Sequence, residues 1–195
     1  MKIYTCEQGT EEWHKLRLGK FTASEAQAIA TAGKGLETLV YEKAAEILTG
    51  KPKESYTNKD MERGHELESV ARNLYELETG NVVRTVGFCE LHEFIGASPD
   101  GLIGDKKGIE IKNPTDPVYA RYLFDKKIDP KYYAQMQMQI MVCDLLSVDY
   151  VVHNPNFKTD IVTVNVPRDE AFIVKLRMGL VSGVQKLKEI LEKVR

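Results

Sequence analysis

The sequence predicts an α/β fold in which a mixed β-sheet is flanked by helices. Segments with the apolar spacing of helices stand at both ends of the chain, and shorter alternating segments typical of strands stand between them. At 195 residues the chain is long enough for one domain with a substantial core. No repeat, low-complexity tract or linker divides it, so we expect one domain, with an N-terminal helical part over 1–60 and a core with a long C-terminal helix over 61–195.

The N-terminal part is predicted to hold two helices. Thr22 is a suitable N-cap for a helix through Ala30, because Glu25, three residues later, completes a capping box. A second helix is expected from about Leu36 to Leu48, and Gly50 supplies its C-terminal stop. The segment after Gly50 is rich in charges and is expected to be a loop.

The rest of the chain predicts the order α-β-β-β-α-β-β-α, which gives a mixed sheet with helices packed against it. The first of these helices places Leu67, Ala71 and Leu74 at helical spacing, and Gly80 ends it. The predicted elements are a helix over Met61–Thr79, strands over Asn81–Glu90, Phe94–Ile103 and Lys107–Asn113, a helix over Pro130–Cys143, strands over Ser147–His153 and Asp160–Val166, and a helix over Arg168–Val194.

Charge and composition limit the classes of function. The net charge is −2 at pH 7 and the pI is about 6.1, whereas a protein that coats nucleic acid by bulk charge is usually basic. Any contact with DNA must therefore come from local Lys and Arg clusters around an acidic centre. The N-terminus lacks the apolar run of a signal peptide, and no stretch approaches the ~20 apolar residues that span a bilayer. We therefore expect a soluble, cytoplasmic protein with no membrane partner.

The most informative run is GASPDGLIGDKKGIEIKNP, over residues 96–114. Its second half alternates two isoleucines with two charged residues, so an extended strand directs both isoleucines to one face and both Glu110 and Lys112 to the other. Asp100 is predicted at or near the end of the preceding strand. A hairpin over Gly101–Gly108 would return the chain and place Asp100 beside Glu110.

Two converging carboxylates form an oxygen-rich site suited to Mg²⁺ or Mn²⁺. Such an ion polarises a phosphodiester, lowers the pKa of bound water and stabilises the leaving oxygen. Lys112 on the same face could orient or deprotonate the attacking water, or balance charge in the transition state. The alternative is an exposed strand with a surface Glu/Lys pair, which is common, but the SPDG motif ten residues upstream favours the metal site.

A third carboxylate is expected from the preceding helix. The candidate is Glu68, and the alternative for this residue is an i,i+4 surface pair with Arg72. His65 lies three residues earlier on a similar face and could also approach the metal. Glu66 points elsewhere and is expected to be solvated.

The spacing D-x9-E-x-K resembles the PD-(D/E)xK nuclease superfamily, whose core order α-β-β-β-α-β matches the predicted elements. Four ordered segments resemble one branch of it more narrowly, the lambda-type phage exonucleases (the YqaJ-type viral recombinase family). These segments are EQGTEEWHKLRLGKFTASE from residue 7, GHELESVAR from residue 64, SPDGL with GIEIKNP from residue 98, and YYAQMQ from residue 132. The resemblance covers residues 7–145.

This resemblance implies a processive 5′→3′ exonuclease that degrades one strand of double-stranded DNA from a 5′-phosphorylated end. It also implies a ring-shaped homotrimer around DNA, and a 3′ single strand handed to a phage single-strand annealing protein. The implied cofactor is Mg²⁺, with Mn²⁺ as a substitute and two ions in the site. The implied setting is a bacterial host cell, with a phage or prophage as the origin of the gene.

The resemblance also assigns roles residue by residue. The metal-binding set is Asp100, Glu110, Ile111 and Glu68, the catalytic lysine is Lys112, and Arg17, Ser24, Ser98 and Gln135 fall where the family contacts the terminal phosphate or the scissile region. Gln135 is counted with the catalytic residues and the other three with the DNA-binding residues. The structural alternatives are a helix cap for Ser24, a solvated position for Gln135, and an ion pair of Arg17 with Glu11 or Glu12.

Three further expectations concern the borders of this site. Trp13 is expected to pack in the protein rather than to stack on a base. Met61 aligns near a family residue that wedges apart the terminal base pair, although an apolar residue at a helix start explains it equally well. The linker Gly33–Leu36 is shorter than in the family, which puts a loop contact to the downstream duplex in doubt.

Other functions fit less well. A PD-(D/E)xK endonuclease or resolvase stays open as an alternative, as does a non-catalytic DNA-binding recombination protein that keeps the fold. The CRISPR-associated iron–sulfur nucleases need clustered cysteines, and Cys6, Cys89 and Cys143 are far apart and expected to be reduced thiols. A small-molecule metal hydrolase is disfavoured because no His-rich motif is present.

Overall fold

A computed structural model describes residues 1–53, 63–64 and 66–194. The predictions for His65 and Met61 therefore lie outside the described residues. The elements are β1 Lys2–Tyr4, α1 Glu11–Arg17, β2 Phe21–Thr22, a 3₁₀ turn Ala23–Glu25, α2 Ala26–Thr31, α3 Lys34–Thr49, α4 Glu68–Thr79, β3 Phe88–His92, β4 Ile95–Ala97, β5 Gly101–Ile103, β6 Lys107–Lys112, α5 Asp116–Asp125, α6 Pro130–Cys143, β7 Ser147–His153, β8 Ile161–Pro167 and α7 Glu170–Val194. The α/β class is as predicted.

The predicted capping box lies at the start of the N-terminal helices. The Thr22 amide donates to Glu25 Oε2 at 2.8 Å, and both halves of the box are present. The box opens a 3₁₀ turn before α2, so the regular α-helix starts three residues later than predicted. Helix α3 ends as predicted, with Gly50 in the left-handed conformation. Helix α1 was not predicted, because its seven residues are too few for a periodic pattern.

The strands form two four-stranded sheets, whereas the sequence predicted one. The first sheet has the order β1-β3-β4-β2, so the N-terminal part contributes two short strands as well as helices. The predicted strand Phe94–Ile103 is broken into β4 and β5, which lie in different sheets. The break falls at Ser98, Pro99 and Asp100, where the proline has no amide hydrogen for a ladder.

The second sheet has the order β5-β6-β7-β8, and its two faces have different neighbours. On one face, Ile109 and Ile111 of β6 pack with Ala71 and Tyr75 of α4 in a small apolar cluster. On the other face, Glu110 of β6 lies against α6. The alternation predicted for this strand is therefore confirmed, and it directs the charged residues towards α6.

Two helices border the second sheet near the end of β6. Helix α5 was not predicted; it follows Pro114 and ends at Lys126 in the left-handed conformation. Helix α6 begins as predicted with Pro130, and the Asp129 carboxylate caps it by accepting from the Lys131 amide at 2.9 Å. None of the helices in the described ranges combines the length and the apolar character needed to cross a membrane.

Candidate active site

Asp100 lies beside Glu110, as the predicted hairpin requires. Strands β5 and β6 are antiparallel with Gly101 opposite Ile109, and this register continues to Asp100 and Glu110. The Ile111 amide donates to Asp100 Oδ2 at 2.6 Å, which holds the carboxylate against β6. One detail differs from the prediction. Asp100 immediately precedes β5 and does not end the strand before it, β4.

Both oxygens of the Glu110 carboxylate are held by donors. Oε1 accepts from Lys112 Nζ at 2.5 Å and from Gln135 Nε2 at 2.6 Å. Oε2 accepts from Gln139 Nε2 at 2.6 Å. The residue is 0% exposed, so these hydrogen bonds replace the water that its carboxyl oxygens lose on burial. The alternative that Gln135 is a solvated helix residue is therefore wrong.

The pKa values of Asp100 and Lys112 are both raised, for different reasons. Burial raises the pKa of Asp100 well above its ordinary value, and repulsion from Glu110 and Glu68 adds to the rise. Burial alone lowers the pKa of Lys112, but attraction to Glu110 and Asp100 outweighs it, and the net pKa is raised. Lys112 is therefore a protonated ammonium in this arrangement. Of the roles predicted for it, charge balance fits this state better than deprotonation of water.

Asp100 and Lys112 line a cleft of about 1190 Å³, and Glu68 of α4 lines it with them. The Glu68 carboxylate, however, pairs with Arg72 Nη2 at 2.5 Å. This is the alternative that the sequence offered for Glu68. The helix therefore brings Glu68 to the cleft, as predicted, with its carboxylate turned to a neighbour one turn along the same helix.

The donor set fits a hard divalent cation only in part. Among the described residues, no group of three or more His, Cys, Asp or Glu side chains is arranged to hold one ion. Asp100 and Glu110 supply two adjacent carboxyl groups beside one ammonium, and repulsion between the two helps to raise the pKa of Asp100. A bound cation would relieve that repulsion. Oδ1 of Asp100 takes no hydrogen bond from the part of the chain that the structure describes. Oxygen donors of this kind suit Mg²⁺ or Mn²⁺.

A second polar cluster surrounds the Arg17 guanidinium. Arg17 Nη1 donates to Ser98 Oγ at 3.2 Å, Nη2 donates to Thr22 Oγ1 at 3.2 Å, and the group lies 4.3 Å from the centre of the Trp13 ring. The indole of Trp13 donates to Ser98 Oγ at 3.0 Å, so Trp13 packs as predicted. The exposed Ser24 reaches the cluster through a 3.3 Å contact with Thr22 Oγ1.

The fold thus brings together the three residues predicted to bind a terminal phosphate. Burial lowers the pKa of Arg17, while Glu25 and Glu46 oppose that shift. The sequence also offered an ion pair between Arg17 and a glutamate of α1. The exposed glutamate at the start of that helix, Glu11, instead pairs with Lys15 at 2.6 Å. Ser98 stands two residues before Asp100, which links this cluster to the carboxylate pair through one short segment.

Sequence reasoning missed two residues of the site. Gln139 holds Glu110 from α6, and its i,i+4 spacing from Gln135 was a signal that these two share a helix face. Tyr132 lies against the catalytic candidate Lys112, whose Nζ is 4.9 Å from the ring centre. No pattern in the sequence indicated that contact, because it depends on how α6 packs on β6.

Solved structures of other proteins share this fold. The crystal structure of an alkaline exonuclease, LHK-Exo from Laribacter hongkongensis, has a TM-score of 0.88 and 32% sequence identity, covering 95% of this chain and 96% of that one. The structure of LHK-Exo in complex with dAMP gives the same values. A phage related exonuclease from Haemophilus somnus 129PT has a TM-score of 0.67 and 19% identity over 90% of this chain and 96% of that one. At this identity, the similarity shows only that the two proteins share a fold. No match was found among curated proteins.

The family comparison covers most of the site. A family model for the YqaJ-like viral recombinase domain matches residues 12–145, a range that includes Arg17, Asp100, Glu110, Lys112 and Gln135. This match and the similarity to LHK-Exo agree with the resemblance inferred from the sequence motifs. The chain belongs to the YqaJ-like viral recombinase domain family.

Proposed function

We propose that this protein is a Mg²⁺-dependent 5′→3′ exonuclease that degrades one strand of linear double-stranded DNA from a 5′-phosphorylated end. The observation that carries the proposal is the hairpin that sets Asp100 beside Glu110, with Lys112 on the same face of β6. LHK-Exo, a structural relative at 32% identity, is an alkaline exonuclease and has been solved with dAMP. A mononucleotide is the kind of product that an exonuclease releases, which supports the extension to this chain.

Mg²⁺ would be held by Asp100 and Glu110, with Mn²⁺ as a substitute. The Ile111 side chain packs into the apolar cluster under α4, so only its main-chain carbonyl could join this set. Glu68 would join by leaving Arg72. Two ions in the site are part of the proposal and rest on the family resemblance. A bound ion would polarise the phosphodiester and lower the pKa of its water.

The chain's own residues would then orient the scissile phosphate and balance its charge. Lys112 carries an ammonium that is fixed by Glu110 and by the Tyr132 ring. A fixed cation stabilises the charge that develops on a phosphate in the transition state without reorganising during the reaction. Gln135 holds Glu110 and stands beside Lys112, so it would help to keep both groups in place.

The Arg17 cluster is the proposed pocket for the 5′ phosphate. A guanidinium forms paired hydrogen bonds with phosphate oxygens, and hydroxyls such as those of Ser98 and Ser24 add directional contacts. In the present arrangement Arg17 donates to Ser98 and Thr22, which are neutral partners that a phosphate could replace. The short connection from Ser98 to Asp100 supports a terminal phosphate held close to the bond that is cut.

The outer wall of the cleft is the proposed path of the DNA strand. It is formed by α5, the α5–α6 loop and the first turn of α6. Lys127 lies in the loop and Lys131 lies in that first turn. Neither lysine has an ion-pair partner among the residues that the structure describes, and Lys131 lies 4.6 Å from the centre of the Tyr132 ring. Unpaired cations beside an aromatic ring are typical of surfaces that bind single strands.

Replacing both Lys127 and Lys131 by Ala should weaken DNA binding and its salt dependence. Each phosphate contact contributes about −0.7 to −0.9 to the slope of log K against log salt, so the double variant should reduce the magnitude of the slope by about 1.4 to 1.8. The measurement is a fluorescence binding titration with 5′-phosphorylated DNA at several salt concentrations, with Ca²⁺ to prevent cleavage. The matched control replaces two exposed lysines of α7, Lys175 and Lys193. An equal change of slope in both double variants would contradict the proposal that the DNA strand runs along Lys127 and Lys131.

The proposed assembly is a homotrimer around DNA, with a single-strand annealing protein as partner in the cytoplasm of a bacterial host. These proposals rest on the family resemblance and extend the YqaJ-like match. Sedimentation equilibrium should give three times the mass of 22.1 kDa per chain. A monomer at all concentrations would contradict the trimer and leave the nuclease site untouched.

Digestion of linear and covalently closed circular DNA tests the exonuclease proposal. With Mg²⁺, linear duplex should lose one strand to mononucleotides, while the circle of the same sequence stays intact. Excess EDTA should stop the reaction. Equal cutting of the circle would favour a PD-(D/E)xK endonuclease or resolvase, and binding without any cutting would favour a non-catalytic recombination protein.

A further inference from the structure

Helix α6 carries three glutamines at alternate positions, and their hydrogen bonds differ. Gln135 and Gln139 are one turn apart and both donate to Glu110. Gln137 lies on another side of the helix, where its amide donates to the Pro167 carbonyl at 2.8 Å and accepts from the Asp169 amide at 2.9 Å. Gln137 thus connects α6 to the turn between β8 and α7, away from the carboxylates.

Gln139 differs from Gln137 in how its buried amide is satisfied. Both side chains are 0% exposed. Both polar atoms of Gln137 are paired, whereas Oε1 of Gln139 has no hydrogen-bond partner in the described part of the chain. A buried amide oxygen without a partner costs free energy. An apolar residue at position 139 would avoid that cost but would leave Glu110 Oε2 without its donor, so Gln139 is explained by Glu110 and not by the packing of α6.

The orientation of the Gln139 amide is set by Glu110. Its Nε2 lies 2.6 Å from Glu110 Oε2, and the reverse orientation would bring two oxygen atoms to that distance. The donor must therefore face the carboxylate, which leaves Oε1 without a partner. Oε1 of Glu110 is already held by Lys112 and Gln135, so Gln139 is the group that fixes the second oxygen.

We infer that Gln139 is a positioning residue for the metal: it holds Glu110 in the rotamer that presents its carboxylate, beside Asp100, to a divalent cation. This inference rests on the proposed function and deepens it. Hydrogen bonds to a ligand's carboxylate restrict its rotation and keep it charged, and loss of such a partner typically weakens metal affinity by about 10- to 100-fold. Gln139 acts through Glu110 and is not assigned a contact with DNA.

The test is Mn²⁺ binding to the full chain without DNA, with free Mn²⁺ followed by electron paramagnetic resonance. Gln139→Met keeps the length and burial of the side chain but removes its donor. We expect it to weaken Mn²⁺ affinity by about 10-fold or more. Gln137→Met is the matched control, because it removes an equally buried glutamine from the same helix. It should lower the melting temperature and change Mn²⁺ affinity by less than about 2-fold, within the scatter expected for a distant site.

Two further variants separate the possible failures. Asp100→Asn removes a proposed ligand and should weaken Mn²⁺ binding more than Gln139→Met does. If it does so while Gln139→Met binds as the wild type does, the positioning role is overturned and the proposed function stands. If Asp100→Asn has no effect, the metal site and this inference both fail. Equal weakening by Gln137→Met would also overturn the inference, because the effect would then come from the fold. If Gln139→Met does not fold, Gln139→Asn gives the same test, since its shorter side chain withdraws the donor from Glu110.

Discussion

Replacing Glu110 by Gln or Asp100 by Asn should abolish DNA degradation while the protein stays folded. Both changes keep the shape of the side chain and replace a carboxyl group, which can give up its proton to bind a cation, by an amide that cannot. Loss of a group that stabilises the transition state lowers kcat by at least about 10²- to 10³-fold. The measurement is the release of acid-soluble nucleotides from linear duplex DNA with Mg²⁺, together with the melting temperature. Activity within about 10-fold of the wild type would contradict the role of these acids.

Lys112→Met should reduce the activity to a similar degree, and this variant has a close control. Lys107 lies on the same strand and also pairs with a buried carboxylate, Asp149, at 3.1 Å, but it points to the opposite face of the sheet. The Lys112 side chain is 26% exposed and that of Lys107 is 36% exposed, so removing either should cost less than the ~3 to 5 kcal/mol of a fully buried pair, and both variants should be less stable. Only Lys112→Met should lose catalysis. If Lys107→Met lost a comparable share of its activity at a temperature where both variants are folded, the loss in Lys112→Met would have to be assigned to lower stability.

Arg17→Ala should remove the preference for a 5′-phosphorylated end. A hydrogen bond between charged groups contributes about 1.5 to 3 kcal/mol, so the ratio of rates on phosphate and hydroxyl ends should fall by about 10- to 100-fold. For Arg17→Lys, the ratio of rates should lie between that of the wild type and that of Arg17→Ala, because lysine keeps the charge and loses the paired donors. The measurement is the initial rate on duplexes that differ only in the 5′ group.

Lys15→Ala is the control for the Arg17 variants. Lys15 lies on the same helix, with 73% of its side chain exposed, and it pairs with the exposed Glu11. Such a surface pair contributes little, so the ratio of rates should stay that of the wild type. An unchanged ratio in Arg17→Ala would remove the phosphate pocket from this account.

The candidate active site was predictable from sequence where it depends on local rules. Alternation along β6 separates Glu110 and Lys112 from the isoleucines, and a short hairpin returns Asp100 to Glu110. Gln139 was not predicted, although its spacing from Gln135 was visible. Helical periodicity shows which residues share a face, but the element opposite that face is decided by packing.

Other features depend on contacts between distant parts of the chain. Ser98 meets Arg17 across 81 positions of sequence, and only the resemblance to a family suggested that the two act together. The single predicted sheet was wrong because Pro99 breaks the strand, and β4 and β5 then pair with different partners. Glu68 was placed on the correct helix, but its carboxylate pairs with Arg72, since a local i,i+4 partner competes with the cleft.

We propose that Asp100 and Glu110 would hold a divalent cation at the site where one strand is degraded from its 5′ end. The most direct measurement is digestion of a linear duplex in which one strand carries a 5′-terminal label and, in a second preparation, a 3′-terminal label. With Mg²⁺ and the wild-type protein, the 5′ label should appear at once as a mononucleotide, and the 3′ label should stay on long single strands. Asp100→Asn should release neither. Early release of the 3′ label, or full activity of Asp100→Asn, would contradict the account.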